Sequence, residues 1–361
     1  MPRGQSLYLD LLRFLLAVEV LLAHASYNLY TGPGFLWRTF PLAQTAVIGF
    51  FVLSGFVIGY VTDTKEKTGS EYAAARISRL WSMIPIALIL TLVLDSIGFN
   101  AAPERYMTSP INVGPHQEKH YLLSFLLLNR FALFTWLTNE VDLSPGSNFP
   151  FWSLSIEGAY YLAFGVLLFY RGALRILVLV ALGLSAGPEI VFLFPVWLLG
   201  VAAYRLRHYQ IPSPLAWMLF LSTPLMLLFV GWARGNGDPS DGWEVTGRWT
   251  HLDYAEGLLF AINVFMAGQI SRSLHVLLGL LTWAIRPLGN LTFALYLLHR
   301  PLLQVLSIYS IADPSSWAQW SWLFGINVLA AAVSAYLCEK LRPKLRGWFL
   351  HFTRPIARPS S

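Results

Sequence analysis

The sequence predicts an all-α membrane protein, a polytopic bundle of about ten transmembrane helices with both termini in the cytoplasm. Hydrophobic residues make up 56% of its 361 residues and charged residues only 12%, whereas a soluble domain carries about 25% charged residues. The 14 tryptophans and 16 tyrosines suit the aromatic belts of membrane proteins. These observations favour the lipid bilayer as the solvent and exclude an ordinary soluble enzyme.

Ten apolar runs are the candidate spans. The clear ones are 7–26, 41–62, 80–99, 150–170, 214–233, 289–311 and 319–340, and the weaker or shorter ones are 173–187, 189–206 and 254–270. The first run ends in small residues that resemble a signal-peptidase site. Charged side chains interrupt that run, so we interpret it as a retained helix.

Two further apolar runs, 121–138 and 274–285, compete for span status. If neither spans, 17 of the 25 lysines and arginines lie in cytoplasmic segments and six lie outside, as the positive-inside rule requires. We therefore interpret 121–138, which Asn129 and Arg130 interrupt, as a re-entrant or interfacial helix on the outer side and 274–285 as a segment on the cytoplasmic side. The transmembrane domain then covers 1–345, and a short basic cytoplasmic tail covers 346–361.

The other composition signals limit the possible partners. The net charge of +6 comes from basic residues at the ends of apolar runs, so we predict no nucleic-acid partner. The single cysteine, Cys338, excludes an intramolecular disulfide, and we find no spacing typical of a metal site. The polar outer segments 100–149 and 234–253 suit a sugar-like acceptor, although surface loops are polar in any case.

Charged residues inside the first span are candidates for function, because they are costly in a membrane. Arg13 and His24 are eleven residues apart, so both project from one helix face, about 16 Å apart along the axis. Histidine can take a proton from a hydroxyl near neutral pH, and arginine can neutralise an anion. Asp10 is the expected ion partner of Arg13. Spacing alone leaves equally open that His24 is an interfacial histidine at a helix end.

Other spans supply possible partners for this face. Glu157 lies about two turns into its span, at a depth similar to that of His24, where a carboxylate can orient an imidazole. Arg76 and Arg79 share a helix face and can grip phosphate, although the positive-inside signal alone accounts for them. Further cavity candidates are Asp95, Tyr296, His299 and Arg300.

Five segments, taken in order, resemble the membrane acyltransferase-3 family. The first, YLDLLRFLLAVEVLLAHA, has the family's basic residue, ten intervening residues and histidine. The others are IGFFVLSGFVIGY (48–60), RISRLWSMIP (76–85), FWSLSIEGAYYL (151–162) and LGNLTFALYLLHRPLL (288–303). The chain departs from the family where Gly158 follows Glu157, because a second acidic residue is common there, and where Ala46-Val47 lacks the acidic residue that often follows.

The resemblance implies a bacterial inner-membrane enzyme. It would take an acyl group, expected to be acetyl, from cytoplasmic acyl-CoA and transfer it to a hydroxyl of an extracytoplasmic polysaccharide or glycolipid. By resemblance, His24 is the catalytic residue, and Arg13, Arg76 and Arg79 bind the donor. The depth of Glu157 makes it the expected helper of His24, and the alternative is that Glu157 is a packing partner for an arginine in another span. Direct transfer and an acyl-histidine intermediate both stay open, as do the acceptor and the oligomeric state.

A transporter of a glycan precursor or of the acyl donor is the alternative function. Such a protein performs no acyl transfer, yet it also needs intramembrane charges around a cavity.

Overall fold

The computed structural model describes residues 1–25, 42–107, 118–140, 142–233, 250–313 and 316–353. The regular elements of this part of the chain are helices, joined in two places by a short 3-10 turn. The α-helices are α1 (Arg3–Ala25), α2 (Ala43–Thr64), α3 (Gly69–Trp81), α4 (Ile84–Ala101), α5 (Glu104–Met107), α6 (Glu118–Phe125), α7 (Ala132–Thr138), α8 (Phe151–Phe169), α9 (Gly172–Ala186), α10 (Pro188–Arg205), α11 (Ser213–Ala233), α12 (His251–Gln269), α13 (Ser271–Leu278), α14 (Thr282–Ile308) and α15 (Trp317–Phe352). The all-α prediction is therefore confirmed for the described residues.

Seven helical segments of the described chain are long and apolar enough to cross a bilayer. They are α2, α3 with α4, α8, α10 with its 3-10 turn, α11, α13 with α14, and α15. The other three candidate spans are also helical, but α9 has only 15 residues, and α1 and α12 carry acidic side chains within their length. The protein is thus a multi-pass membrane protein, while the count of about ten and the cytoplasmic termini stay predictions.

Neither of the two ambiguous runs forms a single helix of its own, and the side of the membrane on which each lies stays a prediction. The 121–138 run is not one helix, because α6 and α7 are separated by a break in which Leu127 adopts a φ of 59°. Residues 274–285 join α13 to the start of α14. At the other end of the chain, α15 continues through the boundary expected at 345 as far as Phe352. Residues 354–361 of the expected tail lie outside the described residues, as do 108–117 and 234–249 of the expected acceptor loops.

Local sequence fixes several helix boundaries. The Thr68 side chain accepts a hydrogen bond from the backbone of Glu71, whose carboxylate bonds back to the cap, and Thr250 forms the same capping box with Asp253. These side chains satisfy N–H groups that the first turn of a helix leaves without partners. Gly187, with a φ of 86°, separates α9 from α10, because glycine adopts this conformation without steric cost.

Helix α2 lies at the centre of the bundle, packed against α1, α10 and α12. Where it crosses α10, Gly55 and Gly200 face the opposite backbone. A Cβ atom on Gly200 would lie 2.0 Å from the carbonyl oxygen of Val52, and one on Gly55 equally close to that of Trp197. Small residues allow membrane helices to approach this closely, so the two glycines set the spacing of α2 and α10.

The outer surface of the bundle is apolar. Leu225, Phe229 and Trp232 point away from the protein on α11, and Leu184 on α9 is 81% exposed. Soluble monomeric proteins rarely expose so large an apolar surface to water. This surface is therefore suited to contact with the lipid tails of a bilayer, which agrees with the conclusion that the protein is a multi-pass membrane protein.

Candidate active site

A cavity of about 350 Å³ lies inside the bundle. It is bounded by α1, α2, α8, α14 and α15 and by the junction between α3 and α4. Its polar lining residues are Arg13, Ser54, Arg79, Ser82, Ser153, Glu157, Asn290, Thr292, Tyr296, Glu339 and Arg342. Three guanidinium groups and two carboxylates give the cavity a net charge of +1, which favours an anionic ligand.

Two of the cavity arginines have no partner in the described chain. Arg79 and Arg342 neither donate a hydrogen bond nor form an ion pair among the described residues, and they are close enough for their charges to repel. Arg13 forms an ion pair with Asp10 at 3.7 Å, which confirms the expected i, i+3 pair. Three guanidinium groups held together with only two carboxylates are a ready site for phosphate or carboxylate groups.

Arg76 has a different environment from Arg79. Its side chain is buried, forms an ion pair with Glu66, and lies over the rings of Tyr72 and Tyr161 at 5.2 and 5.5 Å. It does not line the cavity. Positions 76 and 79 of α3 therefore have different neighbours, and only Arg79 lines the cavity. The other two cavity guanidinium groups belong to Arg13 on α1 and Arg342 on α15.

Arg342 is the site residue that the sequence interpretation missed. It belongs to the basic cluster after the last span, which the positive-inside rule explains without any binding role. The only signal was its place one turn beyond Glu339, on the part of α15 that continues past the predicted last span. A regular helix carries both residues to the same cavity.

Glu157 is the carboxylate of the inner cavity. It accepts a hydrogen bond from Ser54 Oγ at 2.7 Å and another from the hydroxyl of Tyr161. Trp197 Nε1 donates in turn to Ser54 Oγ at 3.2 Å. The expected contact between Glu157 and His24 is not formed in the described chain, because α1 packs mainly on α14 and α13 and not on α8.

His24 pairs with another histidine, His299 of α14. The distance from His24 Nδ1 to His299 Nε2 is 2.8 Å, and the two rings are nearly parallel, with centroids 4.9 Å apart. His299 is fully buried, whereas His24 is partly exposed. Arg13, on the same face of α1, lines the cavity to which α14 also contributes, so this face is turned toward α14 over much of its length.

Tyr296 lies between the cavity and the histidine pair. Its hydroxyl forms a hydrogen bond of 2.7 Å with Ser153 Oγ, and both residues line the cavity. The ring of Tyr296 is 6.0 Å from that of His299, about one helical turn further along α14. The histidine pair therefore lies just beyond the end of the cavity that is remote from Arg342.

The remaining predicted candidates lie elsewhere. Asp10 forms ion pairs with Arg13 and with Arg286. Asp95 accepts hydrogen bonds from the backbone N–H and the hydroxyl of Ser147, at 2.8 and 2.6 Å. Arg300 is buried, with its guanidinium 5.4 Å from the ring centroid of Phe149. None of the three predicted residues lines the cavity.

A second polar cluster joins α6 to the segment before α8. Glu140 pairs with Lys119 and accepts a hydrogen bond from His120 Nε2 at 2.5 Å. Burial alone would raise the pKa of Glu140, but the hydrogen bonds from Lys119 and His120 outweigh it and hold that pKa below its ordinary value. This cluster ties α6 to its neighbouring loop. Elsewhere in the described ranges, too, no group of three or more His, Cys, Asp or Glu side chains is placed to hold a metal ion.

These features define a class of protein, a multi-pass membrane protein with a cation-rich cavity beside a histidine that can exchange protons. The family of acyltransferase domains matches residues 6–339, nearly the whole chain. The protein therefore belongs to the acyltransferase-3 family and is a membrane acyltransferase, as the five segments predicted, which disfavours the transporter alternative. No curated protein and no solved structure gives a significant match to the chain.

Proposed function

We propose that the protein transfers an acetyl group from acetyl-CoA on the cytoplasmic side of a bacterial inner membrane to a hydroxyl of an extracytoplasmic polysaccharide or glycolipid. One observation carries this proposal. The unpartnered guanidiniums of Arg79 and Arg342 share a cavity with Arg13, whose helix face also presents His24 about 16 Å further along.

The cavity suits the donor because of its charge. A nucleotide thioester is a polyanion, and guanidinium groups bind phosphate by paired, charge-assisted hydrogen bonds. Arg342 is exposed at the mouth and meets the phosphates first, while Arg79 and Arg13 hold the inner part of the donor. The basic segments around the mouth belong on the cytoplasmic side, where such donors are found.

His24 performs the proton chemistry. In direct transfer it takes the proton of the acceptor hydroxyl, the alkoxide oxygen attacks the thioester carbonyl carbon, and the carbon–sulfur bond breaks as the thiol leaves with that proton. In the two-step variant an imidazole nitrogen attacks the thioester carbonyl carbon and the carbon–sulfur bond breaks as the thiolate leaves. The acceptor hydroxyl then attacks the acyl-imidazole, the carbon–nitrogen bond breaks, and the hydroxyl proton passes to the thiolate. Both routes give an ester and a free thiol.

The histidine assignment is tested with His24→Ala and a matched control, His275→Ala. His275 is an exposed histidine on α13, outside the cavity. In the purified, reconstituted enzyme with radiolabelled acetyl-CoA and a glycan acceptor, His24→Ala should lower kcat by about 10²-fold or more, the contribution of a general base, and His275→Ala should match the wild type. Equal activity of the two variants would overturn the assignment.

The two routes are separated in the absence of acceptor. Radiolabel that stays on the denatured wild-type protein, and not on His24→Ala, supports the acyl-histidine route, whereas unlabelled protein supports direct transfer. If the purified enzyme forms no free CoA with any acceptor glycan, the proposed donor is wrong.

A further inference from the structure

His299 has hydrogen-bond partners at both ring nitrogens. Its Nδ1 lies 2.8 Å from the carbonyl oxygen of Tyr296 and 3.3 Å from that of Leu295. Its Nε2 lies 2.8 Å from His24 Nδ1. A carbonyl oxygen can only accept a hydrogen bond, so the Nδ1 of His299 must carry a proton.

The proton on Nδ1 of His299 determines whether Nε2 of the same ring donates or accepts a hydrogen bond. A neutral imidazole has one N–H, so its second nitrogen is an acceptor. A doubly protonated His299 would place a second buried cation beside Arg300, and no carboxylate of the described chain contacts His299. An uncompensated buried charge costs several kcal/mol, so His299 is neutral and its Nε2 accepts.

The direction of the bond between the rings follows. His24 Nδ1 donates to His299 Nε2, so neutral His24, the form that can act as a base or nucleophile, is the Nδ1–H tautomer with its lone pair on Nε2. The hydrogen bond made by one imidazole nitrogen fixes the chemistry of the other. The parallel rings also hold the plane of His24 in one orientation.

We propose that His299 is a positioning residue that fixes this tautomer and thereby makes Nε2 of His24 the atom that takes the acceptor proton or the acyl group. The inference rests on the proposed function of His24. In hydrolytic triads a carboxylate holds the base by its Nδ1–H, and here a neutral imidazole takes that place, itself anchored to the backbone of α14. The role that sequence spacing assigned to Glu157 thus belongs to His299.

Two substitutions of His299 separate orientation from packing. His299→Gln places a carbonyl oxygen near the position of Nε2 and can still accept from His24, whereas His299→Leu fills similar space without an acceptor. In the reconstituted enzyme, His299→Leu should lower kcat by about 10²-fold, within the range of general-base catalysis, and His299→Gln should recover about tenfold of that loss. The KM for acetyl-CoA should stay within about twofold in both, because the arginines that bind it are unchanged.

A matched control removes a buried polar group from the same helix. Gln304→Leu deletes a side chain that donates to the backbone of Arg105 at 3.2 Å and should lower thermal stability without changing kcat per folded molecule. If His299→Gln and His299→Leu lose activity equally, and only in proportion to their loss of folded protein, His299 has a packing role and the proposal is refuted.

The tautomer itself is measured by ¹⁵N NMR of histidine-labelled protein in lipid. The histidine signal that His24→Ala removes should show a protonated Nδ1 and an unprotonated Nε2, and His299→Leu should change it. A protonated Nε2 on His24 in the wild type would overturn the proposal. This readout needs no substrate, so it stands even if His24→Ala retains activity and the proposed function fails.

Discussion

Replacing Glu157 with glutamine should strengthen donor binding and leave turnover almost unchanged. Glu157 is one of two carboxylates facing three guanidiniums in the cavity, so it opposes the binding of an anion. Glutamine keeps an oxygen that can accept from Ser54 and Tyr161, the two groups that bond to Glu157. The substitution therefore removes a charge and keeps the local packing.

The size of the effect follows from the size of the cavity. A spherical cavity of about 350 Å³ is about 9 Å across, and unit charges at that distance interact by about 0.5 kcal/mol in water and by about 2 kcal/mol at an effective dielectric constant of about 20. Each 1.4 kcal/mol, approximately, is a tenfold change in affinity. The Kd of acetyl-CoA should thus fall by about 2- to 20-fold per phosphate charge inside the cavity.

The assay is equilibrium binding of radiolabelled acetyl-CoA to the protein in lipid nanodiscs, followed by initial rates with acceptor. Glu339→Gln is the matched control, because Glu339 lines the same cavity but is exposed at its mouth. Its charge is screened by water, so its effect should have the same direction and stay within about twofold. Added salt should reduce both effects.

The opposite result would refute this electrostatic reasoning. If Glu157→Gln lowers kcat by about 10²-fold or more and leaves the donor Kd unchanged, Glu157 takes part in proton transfer. That outcome would restore the pairing with His24 that depth along the spans indicated, and it would require a conformation different from the one described.

Three other predictions test separate parts of the structure. Arg342→Gln should raise the KM for acetyl-CoA by about 5- to 10-fold, the value of one partly solvated charge pair, while Arg346→Gln, outside the cavity lining, should match the wild type in initial-rate assays. Gly200→Ala should lower stability by about 1–3 kcal/mol through overpacking, whereas Gly325→Ala, with open space around its Cβ position, should not be destabilising in the same thermal melt. Glu140→Gln should lower Tm at pH 7, because the pKa of Glu140 is held below its ordinary value by its lysine and histidine partners. This difference should persist above the unfolded pKa of about 4.3 and disappear as the pH falls through the lowered folded pKa; a difference that grows on acidification would contradict it.

The helical elements were largely predictable from sequence. Runs of about 20 apolar residues can only be helices in a bilayer, and each of the ten candidate runs contains one. The break within 121–138 was also visible, because Asn129 and Arg130 interrupt its apolar pattern. The membrane crossings of α1 and α12 are harder to establish, since their charged side chains lower the hydropathy that identifies a span.

The site was predictable where one helix sufficed. Arg13 and His24 share a face by the 3.6-residue period alone, and Asp10 pairs with Arg13 at short range. The partner of His24 was not predictable, because equal depth in the membrane does not show which helices are neighbours. Packing of α1 on α14 brings His299 to His24, while Glu157 bonds within the α2 and α8 region.

Arg76 and Arg342 also show that sequence position alone does not indicate which residues line the cavity. Both lie in basic segments that the positive-inside rule predicts to be cytoplasmic, so sequence context alone does not distinguish them. Only the folded bundle shows that the first is held by Glu66 and the second faces the cavity.

The hydrogen bond between Tyr296 and Ser153 has a consequence for the living cell. A catalyst that serves substrates on both faces of a membrane risks becoming a leak for ions and protons. Here Tyr296, at the edge of the cavity, and His299, in the histidine pair, lie about one helical turn apart on α14. Under the proposed function, a small uncharged acyl unit moves past these side chains while the charged nucleotide stays in the cavity, which would limit the leakage of ions across the membrane.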